Sequence, residues 1–427
     1  MNAEGKLRSY AAHDDVPPPR VLAEEVLATA RRQVRGRRIR LAAAAGIGTA
    51  LVVLGVAAAL PHPGAAPLPA HPSPSGSARP PSPTGPPLHC TAEPLPAPAG
   101  LTAAQRTARA IDPSGRYIAG TYASGANTSG LLLWTDGKPS QPAAAKQFSA
   151  AAVNSRAVVA GKAPDADGRG QAAVFRDGKV TLLPRPFGAT SSTALAINTN
   201  GDVVGRISGS TLPTNTSLAI LWPAGGGYEL LPTGTKDLTP ESAVAIRDDG
   251  VILGTARRTG DVFSVPLPYL WNAGHTGRLL PMPRELTEEA AGATAMAGRW
   301  AIGVAGNLQG PRPSIPPDVD GTRFSTPQAY VRWNLDTGDF DELGTFSPTA
   351  ASTTGVMLGV SDMYHGTPAT WRAGTVTPLP ILDPSRAWLV HSGISADGTT
   401  AFGTLTPPPP PSIDDPLGPY DLVLWKC

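Results

Sequence analysis

The sequence predicts an all-β body, a seven-bladed β-propeller of four-stranded antiparallel blades, preceded by one transmembrane α-helix and a disordered Pro-rich linker. Three observations carry that expectation. Short aliphatic runs bounded by Gly, Asp or Pro recur seven times after residue 105. A charge-free run of twenty positions opens at Leu41 and closes at Leu60. Two cysteines, Cys90 and Cys427, lie at either end of the repeats.

The chain has 427 residues, with 47 Gly and 48 Pro, a composition near the border of low complexity. Its 8 Trp are too many for a disordered chain, so the Pro-rich stretches and an ordered body must be separate. Residues 1–40 form a short basic tail holding 9 of the 35 basic and 5 of the 33 acidic side chains. The remaining 26 basic and 28 acidic groups leave the large part near neutrality. A nucleic-acid-binding body would carry a basic stripe, and no nucleic acid is expected as partner.

Residues 41–60 are long enough to cross a hydrocarbon core of about 30 Å. Six arginines between Arg31 and Arg40 precede the run, whereas Arg79 and Glu93 alone are charged in the forty positions after it. By the positive-inside rule this is a signal-anchor with a cytoplasmic N-terminus and the bulk of the chain outside the cell. The alternative is secretion after cleavage near Ala59. Residues 61–87 hold eleven Pro among Ala, Ser and Gly, and read as an extended stalk on the order of 80 Å long.

Residues 88–427 form the propeller. The clearest unit is Ser242-Ala-Val-Ala-Ile-Arg-Asp-Asp-Gly250, then Val251-Ile-Leu-Gly254, Pro268-Tyr-Leu-Trp271 and Arg278-Leu-Leu-Pro281, which reads as four strands. A Gly closing the second strand recurs at Gly120, Gly161, Gly205, Gly254, Gly303, Gly359 and Gly403. An aromatic ending the third recurs at Trp134, Phe175, Trp222, Trp271, Trp333, Trp371 and Trp425, where it can fill the gap between neighbouring blades. First strands are rich in Ala, as expected where strands converge on a central axis. Turns such as Asp112-Pro-Ser-Gly115, Asp136-Gly137 and Asp177-Gly178 join the strands.

The run Gln171-Ala-Ala-Val-Phe-Arg-Asp-Gly-Lys-Val-Thr-Leu-Leu-Pro184, with Ala194-Leu-Ala-Ile-Asn-Thr-Asn-Gly-Asp-Val-Val-Gly205, resembles the extracellular HAF-repeat β-propellers of bacteria. The resemblance spans residues 105–427. It implies a propeller fold and an extracellular location, and brings no catalytic residues with it.

The seventh unit ends at Trp425-Lys-Cys427 without a fourth strand. Residues 90–96, Cys-Thr-Ala-Glu-Pro-Leu-Pro, resemble the fourth strands of other units, so this N-terminal strand is expected to complete the seventh blade. Cys90 and Cys427 then meet, and a disulfide replaces the missing turn.

No Gly-x-Ser-x-Gly, His-Glu-x-x-His, P-loop or dinucleotide motif occurs. His391 falls in the first strand of unit seven, beside the expected channel, and is read as structural. Asp165-Ala-Asp-Gly168, Asp318-Val-Asp-Gly321 and the acidic run from Asp336 to Glu342 are read as solvated turns rather than calcium sites. No cofactor, metal or catalytic residue is expected. Four second-to-third strand connections look long (206–217, 255–267, 305–328 and 404–420), and loops on a rigid scaffold carry binding. The candidate binding face is therefore Tyr269, Arg323, Phe324, Tyr330 and Tyr420. The expected function is a monomeric, non-catalytic binding or scaffolding module at the cell envelope, its partner an extracellular protein or cell-wall glycan. The alternatives are a hydrolase or lyase with its site at the channel mouth, and a sensor signalling through the cytoplasmic tail.

Overall fold

The computed structural model describes residues 88–123, 129–209, 217–259, 266–281, 291–306, 328–361, 366–407 and 420–427. The basic tail, the apolar run 41–60 and the stalk 61–87 lie outside the described residues, as does the propeller's connection 307–327. No helix among the described residues is long and apolar enough to cross a membrane.

Seven four-stranded antiparallel sheets follow one another along the chain, six of them with their strands in simple sequence order. Blades 1 to 6 occupy residues 106–140, 149–182, 191–230, 238–279, 291–342 and 347–378. Blade 7 takes its first three strands from Trp388–Ile394, Thr400–Thr406 and Asp421–Lys426, and its fourth from Thr91–Pro94. That fourth strand was expected over 90–96. Its register places Ala92 opposite Trp425 and Thr91 opposite Lys426. Cys90 and Cys427 are joined by a disulfide with Cα atoms 3.9 Å apart, across 337 residues of sequence.

The core lies between the blades. Each of seven apolar clusters draws its side chains from two neighbouring sheets, and the cluster of Leu95, Phe402, Leu422, Ala108, Ile118 and Trp134 joins blade 7 to blade 1. The third-strand tryptophans fill these gaps as their repeat suggests. They also do something the repeat did not announce. The indole Nε1 of Trp134, Trp222, Trp271, Trp333 and Trp425 donates to the carbonyls of Pro96, Pro184, Pro232, Pro281 and Pro380, each in the preceding blade, at 2.6–2.7 Å. Each such bond contributes about 1 kcal/mol net and leaves the indole satisfied in an apolar setting. Phe175 has no N–H to offer, and Trp371 lies instead under the Arg332 guanidinium at 4.6 Å.

A second set of ties runs through the turns between first and second strands. Asn154 Nδ2 donates to the Asn198 carbonyl, Asn198 Nδ2 to that of Arg247, and Arg247 Nη1 to that of Gly298. Farther round, the Thr353 amide donates to the Ala396 carbonyl, and the Ala396 amide to that of Pro113.

The recurring Gly has a backbone cause. In blade 4 a β-bulge between Ala243 and Ala245 pushes the Ser242 carbonyl toward Gly254, where a Cβ would stand 2.0 Å from that oxygen. Gly120, Gly161, Gly205, Gly303 and Gly359 meet a first-strand carbonyl in the same way. The Ala opposite the marker Gly in blades 1 to 5 (Ala108, Ala150, Ala194, Ala243 and Ala293) is buried. These five are thus small because blades press together around them. The turn dipeptides Asp136-Gly137 and Asp177-Gly178 adopt positive φ at both positions, as the two-residue hairpin requires.

Second strands run farther than the sequence suggested, to Ser208, Arg258, Gly306 and Thr406. The connections after them are correspondingly shorter than first drawn.

Candidate functional site at the seam of blades 1 and 7

A first strand has a neighbouring blade on either side, so a side chain exposed on it opens onto the central channel. The bulged residues Arg109, Thr294, Thr349 and Val390 are exposed in this way. Among the seven first strands only four side chains are ionisable: Arg106, Arg109, Glu241 and His391. Glu241 is paired with Arg257 at 2.8 Å. The other three converge on the seam where the ring closes.

Blade 7 differs from the rest in where its first strand bulges. The extra residue sits between Leu389 and His391, ahead of the residue opposite the marker Gly rather than after it as in blades 1 to 6. His391 Nδ1 lies 3.4 Å from Arg109 Nη1, across 282 residues of sequence. A guanidinium has only donors, so Nδ1 is the acceptor and the neutral ring carries its proton on Nε2. Burial, together with the Arg109 charge, lowers the His391 pKa to about 4, and the imidazole is neutral at pH 7. Arg109 is solvent-exposed yet surrounded closely enough that desolvation lowers its own pKa, with Tyr420 opposing. This combination marks a setting reached by solvent and partly enclosed by the surrounding protein.

Arg106, one turn of the pleat farther out, is held differently. Desolvation lowers its pKa and Asp421 opposes, but Asp421 is already engaged by Arg386 Nη1 at 2.6 Å. The Arg106 Nε is buried and lacks a hydrogen-bond partner among the described residues. No described carboxylate pairs with Arg109. Hydroxyls tie the blades together nearby: Thr349 and Ser392 share a hydrogen bond across blades 6 and 7, and the buried Thr404 bridges blade 7 to the backbone of Ala108.

The five residues named as a binding face do not assemble into one. Tyr269 is 2% exposed, with its ring 4.8 Å from that of Trp271 and its hydroxyl accepting from the Gly234 amide at 3.2 Å. Tyr330 is buried in the cluster between blades 5 and 6. Both sit in third strands at positions whose alternation turns them inward. Arg323 and Phe324 lie outside the described residues. Only Tyr420 reaches the seam. Sequence reasoning passed over Arg106 and Arg109, although Arg106-Thr-Ala-Arg109 stands out among first strands otherwise built of Ala, Ser and Thr.

Of the acidic turns, Asp165 accepts the amides of Asp167 and Arg169 and pairs with Arg185 at 3.2 Å, which holds its pKa below the usual carboxylate range. Asp341 pairs with Arg332, and the turn 318–321 lies outside the described residues. Among the described residues no three His, Cys, Asp or Glu side chains gather as a metal-binding set.

No family model and no curated protein matches the chain. Solved structures do. An oligogalacturonate lyase from Vibrio parahaemolyticus is 11% identical, covering 78% of this chain and 93% of its own, with a TM-score of 0.46. An acylaminoacyl peptidase from Pyrococcus horikoshii is 10% identical, covering 71% of this chain and 50% of its own, with a TM-score of 0.45. A prolyl endopeptidase is 8% identical, covering 71% and 40%, with a TM-score of 0.39. The expected non-catalytic role does not stand beside these similarities: propellers that resemble this one belong to enzymes, so the ring of blades is no mark of a non-catalytic module. At such identities and TM-scores, none of these proteins lends its reaction to this chain.

Proposed function

We propose that the propeller is displayed outside the cytoplasmic membrane and takes an anionic ligand at the channel mouth between blades 1 and 7. The carrying observation is Arg109, an exposed but partly desolvated guanidinium, whose hydrogen-bonding neighbour is a neutral imidazole and which no described carboxylate neutralises. An arginine fork with no carboxylate partner among the described residues suits a carboxylate or phosphate. The location is supported by the apolar run 41–60 behind its arginines, by the likeness to extracellular HAF-repeat propellers, and by a disulfide that an oxidising compartment preserves.

Affinity electrophoresis tests the ligand class. In gels containing carboxymethylcellulose the full chain should be retarded relative to gels containing hydroxyethylcellulose, and Arg109→Gln should lose most of the retardation. Equal mobility in the two polymers, or full retardation of the variant, would overturn the proposal.

A second reading is favoured by one feature, the unprotonated His391 beside a guanidinium. A base must be free to accept a proton at working pH, and a nearby cation stabilises charge that develops on an anionic substrate. On this reading the channel mouth is the site of an enzyme acting on an anionic substrate. Reducing ends released from carboxymethylcellulose by the wild-type chain, and lost in His391→Gln, would establish it; no release by the wild type would count against it.

A further inference from the structure

The structure assigns Arg109 and His391 a joint role: they form one receptor for a carboxylate, in which the guanidinium holds the anion and the imidazole gains a proton as the anion arrives. This rests on the anionic-ligand function proposed above and deepens it, naming the ligand group and coupling its capture to protonation.

The geometry carries the first half. Arg109 Nη1 points at His391 Nδ1 at 3.4 Å, a long contact from a charged donor to a neutral acceptor. A carboxylate is a far better acceptor for a guanidinium than an imidazole nitrogen is. An entering carboxylate therefore takes the Arg109 donors, and Nδ1 is released. Once released, Nδ1 can be protonated and donate to the second carboxylate oxygen, so that one ligand group satisfies both side chains.

Electrostatics carries the second half. His391 is kept neutral by burial and by the Arg109 charge, and an adjacent carboxylate cancels the second of these causes. The other charged groups around it are few among the described residues. Arg106 lies on the same first strand of blade 1 as Arg109, and Tyr420 and Asp421 open the third strand of blade 7, where Asp421 is held by Arg386. Asp383 approaches Arg386 at 3.7 Å. The first strand of blade 6, Ser347–Ala351, and the second strand of blade 7, Thr400–Thr406, hold no ionisable side chain. Nothing described there supplies the negative charge that the ligand would bring.

If binding returns the ring from about 4 to the ordinary histidine range near 6.5, affinity for a carboxylate that stays ionised rises roughly twentyfold from pH 7 to pH 5, because proton uptake is linked to binding. The test follows the His391 ring signal by NMR in the full chain in detergent, with His391→Gln identifying the signal. Sodium acetate should raise the apparent pKa of His391 by at least one pH unit at constant ionic strength, and acetamide should leave it unmoved. Arg109→Gln should raise the pKa without any ligand and remove most of the acetate response; unchanged signals from the other histidines report that the variant is folded, and Arg109→Met serves where it is not. Glucuronate and N-acetylalanine place the carboxylate on a sugar and on a peptide end, and the lower half-saturating concentration identifies which source the site prefers. Acetate binding with no change in the His391 pKa would overturn the coupled receptor and leave the anionic-ligand function standing. No response of the site to any carboxylate would overturn both.

Discussion

Blades 4 and 7 follow one plan and reach it by different means. Each pairs a marker Gly with a third-strand Trp whose indole reaches back to a Pro carbonyl of the blade before, Trp271 to Pro232 and Trp425 to Pro380. In blade 4 the Gly is imposed by backbone, since a Cβ on Gly254 would meet the Ser242 oxygen at 2.0 Å. In blade 7 the bulge sits elsewhere, and a Cβ on Gly403 would meet the Trp425 ring at 2.4 Å and Leu389 at 3.0 Å. Blade 4 gets its fourth strand from a turn, whereas blade 7 borrows Thr91–Pro94 from the other end of the chain and stitches it with sulfur. Identical residues at identical repeat positions thus answer to different forces. The blade that departs from the common bulge is also the one that brings an imidazole to the channel.

The largest break in this comparison comes from the disulfide. Replacing Cys90 and Cys427 by Ser should lower unfolding stability by about 2–5 kcal/mol, the chain-entropy account giving an upper figure of about 6 kcal/mol for so long a loop. Denaturant midpoints with and without reductant measure it. A variant as stable as the oxidised protein would mean that the borrowed strand holds without its stitch.

Next come the two glycines. Gly254→Ala should cost about 3 kcal/mol, because a backbone oxygen within the sheet has nowhere to go. Gly403→Ala should cost about 1–2 kcal/mol, because the obstructing atoms are side chains that can tilt at the price of local packing. Thermal unfolding of the two variants side by side decides it, and equal costs would erase the distinction drawn between the blades.

The smallest effect is in pH dependence. The His391 pKa is lowered in the folded protein to about 4 from an ordinary value near 6.5, so the unfolded chain binds the extra proton within that window. Stability contributed by this site is present above pH 6.5 and falls as the pH drops toward 4. Urea midpoints at pH 7 and pH 5 should differ less for His391→Gln than for the wild type, and an unchanged difference would show that the ring is not depressed.

Much of the architecture was legible because a propeller repeats its constraints. Ser242 to Pro281 announced four strands, and the same Gly and aromatic positions announced six more blades, because hairpin turns and strand alternation are local and each unit carries its own copy. Closure was legible from Cys90 and Cys427, since a blade lacking its last strand and a strand lacking its blade have one simple solution. The candidate site was not. Tyr269 and Tyr330 looked available beside long loops, but strand alternation turns them into the core. Arg109 looked like one more residue of an Ala-rich strand.

What the amino-acid order determined by itself is the count of blades, their strand composition and the meeting of Cys90 with Cys427, all consequences of periodicity and of sulfur chemistry. Only the tertiary structure decided which first-strand side chains open onto the channel. A one-residue bulge reverses the facing of a strand without any local signature, and the pairing of Arg109 with His391 exists only once the ring has closed across 282 residues.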